Sequence, residues 1–118
     1  MTDTPNEQPP RVRVAYEAAE LLTGERQDDY GQPIDNFNRV ARLWNAYKGD
    51  DYFTPRIIAE LMVLLKMARS MHKSTEDTEK DKVGYTLLAA EFAEYERHAD
   101  SLLESDLNYL DDLRRRGI

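Results

Sequence analysis

The 118-residue chain contains no cysteine, which excludes disulfides, a cysteine-based zinc site and a thiol nucleophile. A reducing compartment is expected. With only five glycines it has no Gly-rich loop to cradle phosphate, and its serines sit in no nucleophile-elbow context. Long apolar runs are also missing. The longest, residues 57–65, is interrupted by Glu60 and is too short to span a bilayer. Residues 1–10 lack the basic-then-apolar order of a signal peptide. No membrane partner and a cytoplasmic location are therefore expected. Positive charge is scarce: 16 Lys and Arg face 23 Asp and Glu, a net charge of −7. Such a balance repels duplex nucleic acid, whose binding depends on cations that replace phosphate counterions. The one basic cluster, Arg114 to Arg116, lies where a helix would end and complements the negative pole of its dipole. His72 and His98 have no partners at zinc spacing.

What is present is helical periodicity over a length that suits a single domain with one core. Residues 1–10 hold three of the five prolines and too little apolar surface to offset ordering, so a disordered tail is expected. Val12, Ala15, Ala19 and Leu22 recur at helical spacing before Gly24, which predicts a helix over about 11–23. Residues 25–32 (ERQDDYGQ) read as a charged loop. Pro33 suits a first helical turn, and Ile34, Phe37, Val40, Ala41, Trp44 and Tyr47 trace one face of a second helix over about 33–48. Trp44 is expected in the core with Phe37. The KGDDYF segment turns the chain, and Thr54-Pro55 is a strong start for a third helix reaching about Met71. Its apolar residues cover nearly the whole circumference, so it is expected to be surrounded by other helices.

A polar connection over 72–79 precedes a fourth helix of about 80–99, marked by Val83, Leu87, Leu88, Phe92 and Tyr95. Ser101 and Glu104 have capping-box spacing, and Leu103, Leu107 and Leu110 form a stripe on a further short helix. The expected fold is all-α: a four-helix bundle over 11–99 with an additional short C-terminal amphipathic helix over 100–118.

Few side chains stand out as carriers of chemistry. Glu17 and Glu20 project from one helical face, where they suit either a hard cation such as magnesium or, with Arg13 beside them, a solvated stripe. Lys66 and Arg69 lie three apart on the helix expected to be most buried, where charge needs a counter-charge or an anionic ligand. Phosphate recognition and structural ion pairs are equally compatible with them. Asp77 and Asp81 suit the positive end of a helix dipole. Gly84 in mid-helix costs roughly 1 kcal/mol relative to alanine, which points to close packing or to a ligand beside Asp81 and Tyr85.

The succession EAAELLTGERQDDYGQPIDNF at 17–37, ARLWNAY at 41–47, TPRIIAELMVLLKMARSMH at 54–72 and DKVGY at 81–85 resembles a family of small proteins encoded mainly by bacteriophages and prophages, a domain of unknown function. The resemblance covers about Val14 to Glu91 and leaves out the segment from about Asp100. In that family the acid before the Arg-Gln pair is usually an aspartate, where this chain has Glu25. A more distant likeness is to the MazG-type all-α nucleotide pyrophosphohydrolases, oligomeric bundles that hold magnesium around a nucleoside triphosphate. Glu17 and Glu20 match that group's first pair of acids. The second pair departs, because Thr78 stands where an acid is expected before Asp81.

These likenesses imply a nucleotide-binding homo-oligomer, with a magnesium-dependent nucleoside triphosphate pyrophosphohydrolase as its enzymatic form. Lys66, Arg69 and Arg26 would bind phosphate. Asp29, Tyr30 and Tyr85 would contact the nucleotide, and Glu17, Glu20 and Asp81 would hold Mg2+. No residue is singled out as catalytic. The alternative is a non-enzymatic phage protein that binds a host or phage protein through its acidic surface and C-terminal helix.

Overall fold

The computed structural model describes residues 8–23 and 31–117, with residues 100–114 described as backbone only. The described chain forms four helices and no strand: α1 (Pro10–Glu20), α2 (Pro33–Lys48), α3 (Pro55–His72) and α4 (Glu76–Arg115). The expected all-α fold is what the chain adopts.

Local chemistry sets the helix boundaries. Pro10, Pro33 and Pro55 each occupy a first turn, where a missing N–H costs nothing. The Thr54 hydroxyl accepts a hydrogen bond from the Ile57 N–H at 3.3 Å, capping α3. Between α2 and α3, Gly49 adopts φ 70°, a left-handed conformation that favours glycine. Asn45 then clamps the turn, as its amide donates to the Phe53 carbonyl and accepts from the Phe53 N–H, both at 2.9 Å. The α4 N-terminus begins within the segment expected to be a connection. There the Thr75 hydroxyl accepts from the Thr78 N–H at 3.1 Å, and Glu76, Asp77 and Glu79 crowd the first turn, where negative charge is favoured. The two helices expected over 80–99 and from 101 onward are one continuous helix of 40 residues. No glycine or proline lies near Asp100, so the Ser101 spacing interrupts nothing.

Helix α3 runs along α4, α1 packs on α4, and α2 packs on α3. The core cluster is Ala59, Leu88, Ala89 and Phe92, joined by Leu22, Ile34, Phe37 and Tyr85. Phe92 is 1% exposed and meets Phe37 at a ring-centroid distance of 5.3 Å.

Helix α3 departs from expectation. Ile58 and Ala59 are its buried residues, whereas Leu61, Leu64, Leu65, Met67 and Met71 are exposed. It is flanked by α2 and α4 rather than enclosed, because α1 is taken up by α4. Trp44 is likewise not in the core with Phe37: it is half exposed and packs on Phe53. Among the described residues no helix is long and apolar enough to cross a membrane.

Candidate functional site

Where α1 ends and α2 begins, both helices lean on the first turns of α4 and leave a cleft of about 290 Å³. One helical stripe of α4 forms its floor: Lys80, Asp81, Gly84, Tyr85 and Leu88 at spacings of one, three, one and three. Ala18, Leu21 and Leu22 line one wall. Gly31, Pro33, Asn36 and Phe37 line the other. The interior is aromatic and aliphatic, and charge gathers at the edge.

That charge is organised into lysine–carboxylate pairs. The Lys80 ammonium lies 2.7 Å from Glu17 Oε2 and 3.4 Å from Glu76 Oε1. Arg13 stands 3.1 Å from Glu76 and 3.4 Å from Glu17, so four charges tie α1 to α4. The Lys80 hydrogen bond holds the Glu17 carboxyl below the ordinary carboxylate range, with Arg13 adding to it against partial burial. The same bond from Glu17 raises Lys80. Glu76 is lowered first by Arg13 and then by Lys80. On the adjoining side, Lys66 reaches from α3 to Asp81 Oδ2 at 3.0 Å, with only 16% of its side chain exposed.

Asp81 and Tyr85, expected from the sequence, line the cleft, with Glu17 and Lys66 held directly behind its lining lysine and aspartate. Glu20 and Arg69 are exposed and are not among the lining residues. Arg69, expected on a buried helix, is exposed in the last turn of α3. Arg26, Asp29 and Tyr30 lie outside the described residues. Lys80, Asn36 and Phe37 were missed as site residues. For Lys80 a signal existed, since it lies four residues before Gly84 and so on the same helical face.

Gly84 is buried, and its φ is not positive. A methyl placed on it would meet Leu22 Cδ2 at 3.8 Å and nothing nearer. Packing in this structure therefore does not require a glycine there, contrary to the close-packing reading of the sequence.

A magnesium centre needs several carboxylate oxygens converging on one point. Among the described residues no group of three or more Asp, Glu or His side chains is so arranged. Glu17 is engaged by Lys80 and Arg13, and Asp81 by Lys66, so this donor set does not fit the metal.

The Gene 55 protein of Mycobacterium phage L5 is 45% identical over 69 residues, which cover 58% of this chain and 44% of that protein. The Gene 55 protein of Mycobacterium phage D29 is 38% identical over 75 residues, 61% of this chain and 48% of that protein. The chain thus spans about half the length of these phage relatives. No solved structure matches it. A family match over residues 13–93 takes in every residue that lines the cleft and ends before the distal part of α4, and the chain belongs to that family, the domain of unknown function DUF6378.

Proposed function

We propose that the cleft between α1, α2 and α4 binds a nucleotide or a closely related phosphorylated small molecule. The observation that carries this reading is the order of residues along one stripe of α4. Lys80 and Asp81 lie at one end, Gly84 in the middle and Tyr85 and Leu88 beyond it. A charged end followed by a flat, aromatic-lined end matches a ligand with phosphate at one end and a planar ring at the other. The volume is at the lower end of the range for small-molecule sites.

In this reading Lys80 and Lys66 are the phosphate cations. Each is held in place by a carboxylate that a phosphate oxygen can join or displace, an exchange that keeps the lysines ordered before ligand arrives. Tyr85 and Phe37 face the ring, and Gly84 leaves room for it to rest on the helix backbone. Hydrolysis is a separate step. It needs a carboxylate free to carry metal or to accept a proton, and Glu17 and Asp81 are both neutralised by lysine. Nucleotide binding is therefore proposed without a catalytic mechanism.

The test is a thermal-shift screen of the full chain against nucleoside mono-, di- and triphosphates, each with and without magnesium. Ligand at about a hundred times its dissociation constant adds about 2.7 kcal/mol of stability, a readily visible rise. Lys80→Ala should abolish the rise. No rise in the wild-type protein, or an equal rise in the variant, removes the proposal. Release of pyrophosphate from a triphosphate, measured in the same samples, would add the enzymatic step.

A further inference from the structure

The outer side of the α2–α3 hairpin is apolar and uncovered. On α2, Val40, Leu43, Trp44 and Tyr47 recur at intervals of three, one and three, the spacing of a single helical face. On α3, Leu61, Leu64, Leu65 and Met71 follow at intervals of three, one and six, within one side of the helix, with Met67 beside them. All nine are between 37% and 92% exposed. At about 200 Å² for a large side chain, they leave on the order of 1,000 Å² open. The largest apolar patch on a typical monomer is about 300–600 Å², and a stable interface takes roughly 800 Å² from each partner. The face has the area of a protein interface.

Charge indicates what covers it. Residues 33–73, which contain the hairpin, hold seven Lys and Arg against four Asp and Glu, a net positive segment in a chain of net charge −7. Arg42, Lys48 and Arg69 are exposed there, and none has an ion-pair partner among the described residues. The opposite composition lies in α4 of the same sequence. From Glu91 to Asp112 there are eight acids and one base, interleaved with Leu103, Leu107 and Leu110 at helical spacing. The ion pairs of Lys66 with Asp81 and of Arg56 with Glu96 set α3 antiparallel along residues 81–96 of α4, and the backbone of α4 runs on to Arg115. Its 40 residues extend about 60 Å, whereas the 18 residues of α3 extend about 27 Å.

We infer that the α2–α3 face is a self-association surface, seated in a second copy of the chain on the acidic distal half of that copy's α4. A two-fold pair satisfies both surfaces at once, since each hairpin covers the other copy's helix. Arg69, which lies outside the cleft, then serves as an ion-pairing residue across the interface.

Sedimentation or light scattering of the full chain should give twice the 13.7 kDa monomer mass at micromolar concentration. Leu64→Glu should shift it to the monomer mass with helical circular dichroism retained. Tyr47→Glu, at a residue 92% exposed, repeats the test should Leu64→Glu lose its helix signal. Arg69→Glu, which opposes like charges, should weaken association by roughly tenfold. A wild-type monomer, or a dimer that survives Leu64→Glu and Tyr47→Glu, overturns the surface. A dimer broken by Leu64→Glu but unaffected by Arg69→Glu overturns its seating on the acidic helix.

Discussion

The cleft beside α1 and the outer face of the α2–α3 hairpin are both incompletely filled, but they are built from opposite materials. At the cleft every lysine is matched by a carboxylate within 3.0 Å, and the apolar part is small and inset between three helices. On the outer face the apolar surface is broad, and Arg42, Lys48 and Arg69 of the same hairpin have no ion-pair partner among the described residues. Pre-paired charge around a confined volume suits a small ligand that exchanges one anion for another. Broad apolar surface with unmatched charge suits a macromolecule that brings both area and counter-charge. The two regions share one scaffold, since Phe37 forms the cleft wall and also packs on Phe92 in the core.

The largest expected effect tests that shared scaffold. Phe92→Ala removes the most deeply buried large side chain and should cost about 3–5 kcal/mol, measured by urea unfolding. Nucleotide response and self-association should fail together. If one survives a loss of that size, the two regions are separate cooperative units rather than two faces of one.

Asn45→Ala is the next step down and separates them. It removes both hydrogen bonds that close the α2–α3 turn, each between part-buried groups, and should cost about 1–3 kcal/mol, at about 0.5–1.5 kcal/mol for each bond. The hairpin that carries the outer face should loosen. The nucleotide-induced rise in midpoint should persist, because no cleft residue is touched. Loss of the nucleotide response at equal helicity would show that the turn also positions the cleft.

How legible these regions were in the sequence differs for physical reasons. Helix α2 was read to the residue, because Pro33 and Gly49 mark its ends with backbone chemistry that acts locally. The start of α4 was missed: Thr75 caps a turn of Glu76, Asp77 and Glu79 that carries no apolar periodicity. The openness of α3 could not be read, since an apolar circumference indicates that a helix has neighbours but not whether they come from the same chain. At the site, Asp81 and Tyr85 were found through Gly84, an anomaly within one helix. Glu17 meets Lys80 across 63 residues of sequence, a pairing that helical spacing cannot show.

Gly84→Ala has a smaller effect on stability and a sharper one on the comparison. Alanine is favoured over glycine in a helix interior by up to about 1 kcal/mol, and the added methyl meets only Leu22 at an ordinary contact distance. The variant should unfold at a slightly higher temperature than the wild type and self-associate equally well. Its nucleotide response should fall, because the methyl stands where the ring is proposed to rest. A stabilised variant with full response would place the ligand elsewhere on the stripe.

The smallest effect is a pH dependence at the cleft side. Glu17 and Glu76 are both held below the ordinary carboxylate range by Lys80 and Arg13. The unfolded chain therefore takes up these two protons before the folded one does. The stability they contribute is complete above the ordinary carboxylate range and is lost as pH falls through the lowered folded values. Thermal midpoints of the wild type and of Glu17→Gln, followed from about pH 7 to about pH 3, should converge on acidification, because the variant has already lost the charge that acid removes. At neutral pH, Glu17→Gln should weaken the nucleotide response through loss of the α1–α4 tie and leave self-association unchanged, because the outer face is untouched. Midpoint curves that stay parallel would mean that the four-charge cluster adds nothing to the docking of α1, and that the cleft wall is held by Ala18 and Leu22 alone.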